Sequence, residues 1–474
     1  MPPSSGLRTC SRPGYLATVL AIAVASVERS SAFLNCLQPE GSRVSIAYRP
    51  SGVAWRRRTK TLTMASPLRS DERVVIVGGG IVGASTAYHL TLRGVKPLVI
   101  ERSGVACAAS GKAGGFLAGG WGNGPTVGLH KVSFDMHGKL AETLGVASYR
   151  KIPTLQASER AVNGARSGSS PADWLDGKAS GSLMDADTAQ VTPLELTTKL
   201  MEAALAKGAE LRIGTVSGVV SIAASESPGE GAGAAGSVKG TAVGDERRIT
   251  GVSLDNGEEI PCDKVVVAMG PWSCLAEDWF GIPVPMQGIK STSIVFAGSE
   301  AVARDPYALF CAEDRNGCHL EVYPRPTGEV YLCGLGGSDY VDPPRLKGGG
   351  DCEKPEDISP DPSRVAAATK SFRGMTSLGS EGPTVSQACM RPCPPDGLPI
   401  MGSVPGFRGA YISAGHNCWG ILWGPVTGLL MSELLVDGKA STVNIEPFSP
   451  SRFMKKSGRR GRRRGAADLV GEQW

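Results

Sequence analysis

A chain of 474 residues, 41% hydrophobic and 20% charged, is long enough for more than one compact domain and too apolar for disorder or a fibrous repeat. Its formal charge of +5 resides in the ends: residues 1–66 hold nine Lys/Arg against two acids and residues 451–474 hold eight against two, which leaves the centre at −8. An acidic core argues against nucleic acid as a partner, and twelve cysteines without a CxxC pair or Cys/His ligand spacing argue against a disulfide framework or a metal site. Buried free thiols are the expectation that remains.

In chain order, Tyr15 to Val27 is an apolar run preceded by Arg8 and Arg12 and followed by Ser30, Ser31 and Ala32, the pattern of a cleaved signal segment. It is too short to span a bilayer, and no transmembrane segment is expected. Residues 33–68 are rich in Arg and Ser, with Arg56, Arg57, Arg58 and Lys60, which is transit-peptide composition. Two signals in series, joined at Ser30-Ser31-Ala32-Phe33, resemble the bipartite plastid presequences of algae with secondary plastids. Residues 1–68 are therefore expected to direct import into a plastid; mitochondrial import, secretion and a different start codon stay open. The basic tail 454–474 reads as solvated and disordered.

Val74 to Val77 is a β-branched strand, Gly78-Gly79-Gly80-Ile81-Val82-Gly83 follows, and Ala84 to Leu92 continues with helical spacing. Pro97 to Ile100 forms a second buried strand that ends at Glu101. Strand, glycine loop, helix, strand and acid within about 30 residues is the context of a dinucleotide fingerprint. Gly78 permits the tight turn, Gly80 lets the backbone approach a pyrophosphate, and Gly83 lets the helix pack on the strand. Glu101 is placed to accept ribose hydroxyls.

Thr192-Pro193-Leu194-Glu195 reads as a capping box that opens a helix to about Lys207. Leu211 to Val220 reads as one strand and Glu226 to Gly244 as a low-complexity excursion, followed by a hairpin of Ile249 to Leu254, the turn Asn256-Gly257, and Glu259 to Asp263. Lys264 to Gly270 is a buried strand that runs into glycine. Residues 282–380, with prolines, polar loops and isolated strands at Ser293 to Phe296 and Leu320 to Tyr323, suit a β-rich substrate domain. Tyr411 to Ala414 and Trp423 to Leu435 read as strand and helix around Gly-His-Asn-Cys-Trp-Gly.

Four of these segments resemble the D-amino acid oxidase, glycine oxidase and sarcosine oxidase superfamily of FAD-dependent oxidoreductases, over nearly all of residues 73–453. They are the fingerprint with Glu101-Arg102; Ala109-Ser110-Gly111-Lys112-Ala113-Gly114-Gly115; Val265 to Trp272 with Val216; and Arg391-Pro392-x-x-x-Asp396-Gly397-x-Pro399 followed by Gly415-His416 and Gly420-Ile421. The resemblance implies an α/β fold. A Rossmann-like FAD domain of the glutathione-reductase type, approximately 72–150, 190–281 and 385–450, would interleave with a β-rich substrate domain, approximately 151–189 and 282–384. FAD contacts would fall at Gly78, Gly80, Ile81, Val82, Gly83, Glu101, Arg102, Ser110, Gly111, Lys112, Gly114, Gly115, Val216, Gly270, Gly397, Gly415, Gly420 and Ile421. Cys389 falls where sarcosine-oxidase relatives attach FAD covalently.

On the substrate side, Arg391 matches the position that clamps a substrate carboxylate, a task suited to a guanidinium fork. The second cation of several relatives would fall at Cys418 or Trp419, and neither is basic. Trp419 and Tyr323 are candidates for an apolar wall, His416 for a catalytic or merely structural role, and Arg325 for help with an acidic substrate. The implied reaction is hydride transfer from a small neutral amine or amino acid to the flavin, hydrolysis of the imine, and reoxidation by dioxygen or another acceptor. The alternative is a flavoprotein that keeps FAD structurally and serves in binding or assembly; fold alone does not separate the two.

Overall fold

The computed structural model describes residues 67–159, 172–177, 179–225 and 246–454. The expected presequence up to residue 66, the excursion 226–244 and the basic tail from residue 455 lie outside the described residues.

A six-stranded sheet is built from Val74–Val77, Leu98–Glu101, Glu210–Ile213, Lys264–Val267, Ala410–Ala414 and Ile400–Ser403. The first strand is central, parallel to Lys264–Val267 on one side and Leu98–Glu101 on the other; Ile400–Ser403 alone runs antiparallel, at the edge. Val74–Val77 and Lys264–Val267 are buried at every position, as expected for parallel strands covered on both faces. Even Lys264 is buried, its Nζ donating to the Leu435 carbonyl at 3.0 Å and lying 3.6 Å from Glu72.

One face of this sheet packs against helices Ile81–Thr91, Val127–Leu144, Pro193–Ala206 and Gly420–Asp437. The last is apolar enough by composition to cross a membrane, but most of it is buried in this core, which accounts for the composition. Close packing on Ile81–Thr91 depends on two small residues: a Cβ at Gly424 would lie 2.4 Å from Ile81, and one at Gly428 2.2 Å from Ser85. The other face carries a smaller sheet of Val216–Ala223, Arg247–Leu254, Glu259–Pro261 and Phe407–Arg408. The hairpin read around Asn256-Gly257 is present there, with Gly257 at φ 85° in the turn.

A nine-stranded sheet forms the second layer. It includes Arg150–Glu159, Ala179–Gln190, Gln287–Phe296, Ala308–Cys311, Glu321–Pro324 and Val330–Cys333. Its own core includes helix Pro362–Met375, which opens with the Asp361 carboxylate accepting the Ser363 N–H at 2.8 Å.

The structure departs from the sequence expectations in four places. The single strand expected over 211–220 breaks at Gly214, whose N–H donates to the Glu101 carbonyl at 2.9 Å; Glu210–Ile213 joins the parallel sheet and Val216–Ala223 the smaller one. The capping box is not formed: Thr192 makes no side-chain cap and its N–H donates to Ser148 Oγ at 2.9 Å, while Glu195 accepts the N–H groups of Ala147 and Ser148 at 2.8 and 2.9 Å. The helix expected from Ala84 starts at Ile81. Phe116–Ala118 and Val385–Cys393, drawn with the FAD domain from sequence, hydrogen-bond into the nine-stranded sheet, the second along the length of Gln287–Phe296.

Candidate active site

A long cleft begins beside Val216 and Gly214, passes Glu101 and the glycine loop, and ends among Tyr323, Arg391 and Trp419 between the parallel and the nine-stranded sheets. At its first end, the loop geometry follows from glycine. Gly78 adopts φ 113°, and a Cβ there would lie 2.4 Å from the Ala268 carbonyl oxygen. A Cβ on Gly83 would lie 1.9 Å from the carbonyl oxygen of Gly78, so this glycine sets the approach of helix to loop while standing behind the cleft wall. Gly80, Ile81 and Val82 line the cleft, and Ser110 Oγ accepts the Ile81 N–H at 2.9 Å. Glu101 lines it too. Its Oε2 accepts the Gly79 N–H at 2.6 Å and its Oε1 the Ser103 N–H at 2.9 Å. Arg102 pairs with Glu353 at 2.7 Å, tying a distant loop to this wall.

Midway, Ala268, Met269 and Gly270 form one side; a Cβ at Gly270 would meet nothing within 4 Å, which leaves room for a bound group against the backbone. Opposite them run Ser110, Ala113, Gly114 and Gly115. The absence of side chains at the two glycines is demanded by protein neighbours: a Cβ on Gly114 would lie 2.4 Å from the Tyr323 ring and one on Gly115 1.8 Å from the Val191 carbonyl.

At the far end, strand Val385–Cys393 alternates Cys389 and Arg391 onto the cleft with Ala388 and Met390 into the core. Gly415, His416, Trp419, Gly420 and Ile421 close it, where helix Gly420–Asp437 begins. Its N-terminal N–H groups therefore point at the site, a favourable place for negative charge. Phe116 stacks on Tyr323 at 5.3 Å and Phe310 meets Phe116 at 5.1 Å, making an aromatic wall that Trp121 extends toward Trp419.

Four sequence expectations are revised here. Lys112 is not part of the lining; its carbonyl accepts the Tyr331 hydroxyl at 3.0 Å and the Gln387 amide at 3.1 Å, so it holds the loop. Gly111 also stands behind the lining, 2.2 Å being the distance from its would-be Cβ to the Ala106 carbonyl oxygen. Gly397, at φ 72°, completes a turn with its N–H on Pro394, while neighbouring Asp396 pairs with Arg452 at 2.7 Å. Arg325 is not part of the lining; it stands behind the Tyr331 ring, 5.7 Å from its centroid, and 3.8 Å from Glu329.

The His416 imidazole is a core group. Its Nε2 lies 3.0 Å from Thr427 Oγ1, and burial pushes its pKa down to about 4, so it is neutral at physiological pH. Cys389 is a cleft thiol whose pKa burial raises, against the pull of Lys112 and Arg391. The ten described cysteines are all free, and among the described residues no group of His, Cys, Asp and Glu is arranged to hold a metal.

Sequence reasoning missed Glu321. It lines the cleft at 7% exposure, its Oε2 accepting the Tyr323 hydroxyl and the Cys333 thiol. Burial raises its pKa, although hydrogen bonds from Tyr323 and Cys333 and the charge of Arg391 oppose that rise. The signal was available: in a strand read as Leu320 to Tyr323, period two puts Glu321 on the face of Tyr323.

The residues present fit FAD. A long cleft with an acid at one end, a side-chain-free backbone at Gly270 and a helix N-terminus at the other suits an extended anionic dinucleotide. Comparison with known proteins agrees. A family model described as FAD dependent oxidoreductase, DAO, matches residues 73–434. A glycine oxidase of Geobacillus kaustophilus is 27% identical over 411 residues, covering 81% of this chain and 98% of its own. One from Pseudomonas aeruginosa is 25% identical over 422 residues, 80% of this chain and 99% of its own. Among solved structures, the L-amino acid deaminase of Proteus myxofaciens has the same fold, with a TM-score of 0.62 at 18% identity over 83% of this chain and 96% of its own. The fold, the cleft and the match over most of its length place this chain in the DAO family of FAD-dependent oxidoreductases.

Proposed function

We propose that this protein oxidises a small amine or an amino or imino acid at the inner end of the cleft, with dioxygen as the electron acceptor. The observation that carries this reading is Arg391, a guanidinium presented by a strand to a cleft end walled by Phe116, Phe310, Tyr323 and Trp419. Relatives support it by their names: glycine oxidases, and a 4-methylaminobutanoate oxidase of Paenarthrobacter nicotinovorans that is 23% identical over 434 residues, 82% of this chain and 47% of its own.

When bound, FAD supplies the acceptor for the hydride that leaves the carbon bearing nitrogen. The chain's own work is placement. Arg391 pairs with a substrate carboxylate, the aromatic rings exclude water from the reacting carbon, and the open backbone at Gly270 would leave space for the ring system. Val216, Glu101 and the Gly78–Gly83 loop would hold the adenosine and pyrophosphate portion. The imine product hydrolyses to a carbonyl compound and ammonia or an amine.

The test is anaerobic addition of amines and amino acids to the purified flavoprotein, followed by admission of oxygen. Bleaching of flavin absorbance by one class of compound, with peroxide formed on reoxidation, is the expected result. Flavin that no amine reduces would refute the reading.

A further inference from the structure

The inner end of the cleft holds one cation and one anion. Arg391 arrives on strand Val385–Cys393 and Glu321 on strand Glu321–Pro324, and they are near enough for each charge to influence the other. Where the sequence resemblance would place a second cation stand Cys418 and Trp419, both uncharged side chains on the lining. A site built for a bare carboxylate would gain nothing from a second, negative group. A guanidinium facing a carboxylate instead complements a zwitterion, with the substrate's carboxylate on Arg391 and its ammonium on Glu321.

We propose that Glu321 receives the protonated amino group of the substrate and takes its proton. In this step one N–H bond of the ammonium breaks, the electron pair stays on nitrogen, and an O–H bond forms on the carboxylate. The neutral amine so produced has the lone pair that hydride loss from the adjacent carbon requires, and Glu321 returns its proton to solvent after turnover. This rests on the amine-oxidation reading above and adds to it the substrate's charge state on entry and the group that changes it.

The surroundings suit the task. Tyr323 donates its hydroxyl to Oε2 and so fixes the carboxylate plane, while Cys333, opposite Glu321 in the antiparallel ladder, donates its thiol at 3.5 Å to the same oxygen. The titratable and charged groups around Glu321 are Tyr323 on its own strand and His319 just before it, Tyr331 and Cys333 on the next, Cys311 on the other side, Cys418 at the helix start, and Cys389 and Arg391 on strand Val385–Cys393. The thiols and phenols are held protonated by burial, so the electrostatic exchange is between Arg391 and Glu321. Burial moves the Glu321 carboxyl toward the range in which it can both accept and release a proton.

The test compares wild type, Glu321→Gln and Glu321→Asp as flavin-loaded proteins. Anaerobic flavin reduction by glycine, N-methylglycine, D-alanine, L-proline and benzylamine is followed from about pH 6 to about pH 10, and benzoate binding is read from the flavin spectrum. For Glu321→Gln we expect reduction near neutral pH to slow by about a hundredfold and to recover at high pH with the free-amine fraction in solution. Benzoate should bind this variant about tenfold more tightly wherever wild type carries the opposing carboxylate, and Glu321→Asp should keep the wild-type form of the pH profile. A Glu321→Gln protein with the wild-type pH profile and benzoate affinity overturns the proposal while leaving amine oxidation standing. If none of these amines bleaches the wild-type flavin, the functional reading fails and this inference fails with it.

Discussion

Glu101 accepts the Gly79 N–H at 2.6 Å through Oε2 and, through Oε1, the N–H groups of Ser103 and Gly104 at 2.9 and 3.3 Å. The acid at the end of the second strand thus shapes the glycine loop, in addition to facing the cleft. Replacing it with glutamine turns one acceptor oxygen into a donor amide opposed to backbone N–H. Glu101→Gln is expected to weaken FAD binding by about tenfold to a hundredfold, the scale of a lost hydrogen bond to a charged group. Titration of the apoprotein with FAD, followed by quenching of flavin fluorescence, measures it.

Gly83 tests the packing behind the same loop. An alanine Cβ would overlap the Gly78 carbonyl oxygen at 1.9 Å, a backbone group that cannot swing aside as a flexible side chain would. Gly83→Ala should cost about 3 kcal/mol of stability and release FAD on gel filtration. Gly120→Ala, with nothing within 4 Å of its added Cβ, is the matched control.

Arg391 is expected to act through its fork. Arg391→Lys keeps the charge but loses bidentate geometry, so kcat/KM for a carboxylate-bearing substrate should fall by about tenfold to a hundredfold, mainly through KM. An amine without a carboxylate should lose much less. Steady-state kinetics on such a pair would show the difference.

Three buried histidines, His89, His137 and His416, predict the acid side of the stability profile. His137 Nε2 contacts the carbonyls of Ile421 and Leu422 at 3.1 and 3.2 Å and its Nδ1 is buried without a hydrogen-bond partner; burial lowers its pKa from 6.5 to about 4. His416 is lowered to about 4 as well, again by burial. The unfolded chain binds these protons near pH 6.5 and the folded chain only near pH 4, so their contribution is complete above about pH 6.5 and is lost as pH falls toward 4. In His137→Phe the slope of unfolding free energy against pH in that window should shrink by about 1.4 kcal/mol per pH unit. Denaturant titrations at several pH values test this.

Cys389 reaches the cleft as a thiol whose ionisation burial disfavours, and the thiolate is the nucleophile in flavin attachment. FAD is therefore expected to leave the protein on denaturation. Yellow colour retained on the precipitated wild type and lost in Cys389→Ala would contradict this.

The parts of the site that were legible in the sequence are local in the chain. Val74 to Glu101 contains strand, loop, helix, strand and acid in one stretch, so its glycines and Glu101 could be assigned from spacing. Lys112 and Gly111 were misplaced because a motif identifies a loop without saying which of its atoms face outward. Gly114 was expected as an FAD contact, yet Tyr323, more than two hundred residues later, also forbids a side chain there. Glu321 was overlooked because a lone acid in a strand has an ordinary solvated reading until something covers it.

The sequence by itself determined the Rossmann-type unit, because hydrophobic period, glycine spacing and a terminal acid are properties of contiguous residues, while FAD and the family followed from the resemblance of four separated segments to known oxidoreductases. Only the tertiary structure decided that Val385–Cys393 leaves the parallel sheet to pair with Gln287–Phe296. That pairing carries Arg391 to the cleft end where Glu321, Tyr323 and Trp419 meet it. Strand partners distant in sequence are selected by which apolar faces bury each other, and that choice leaves no mark on the spacing of any one segment.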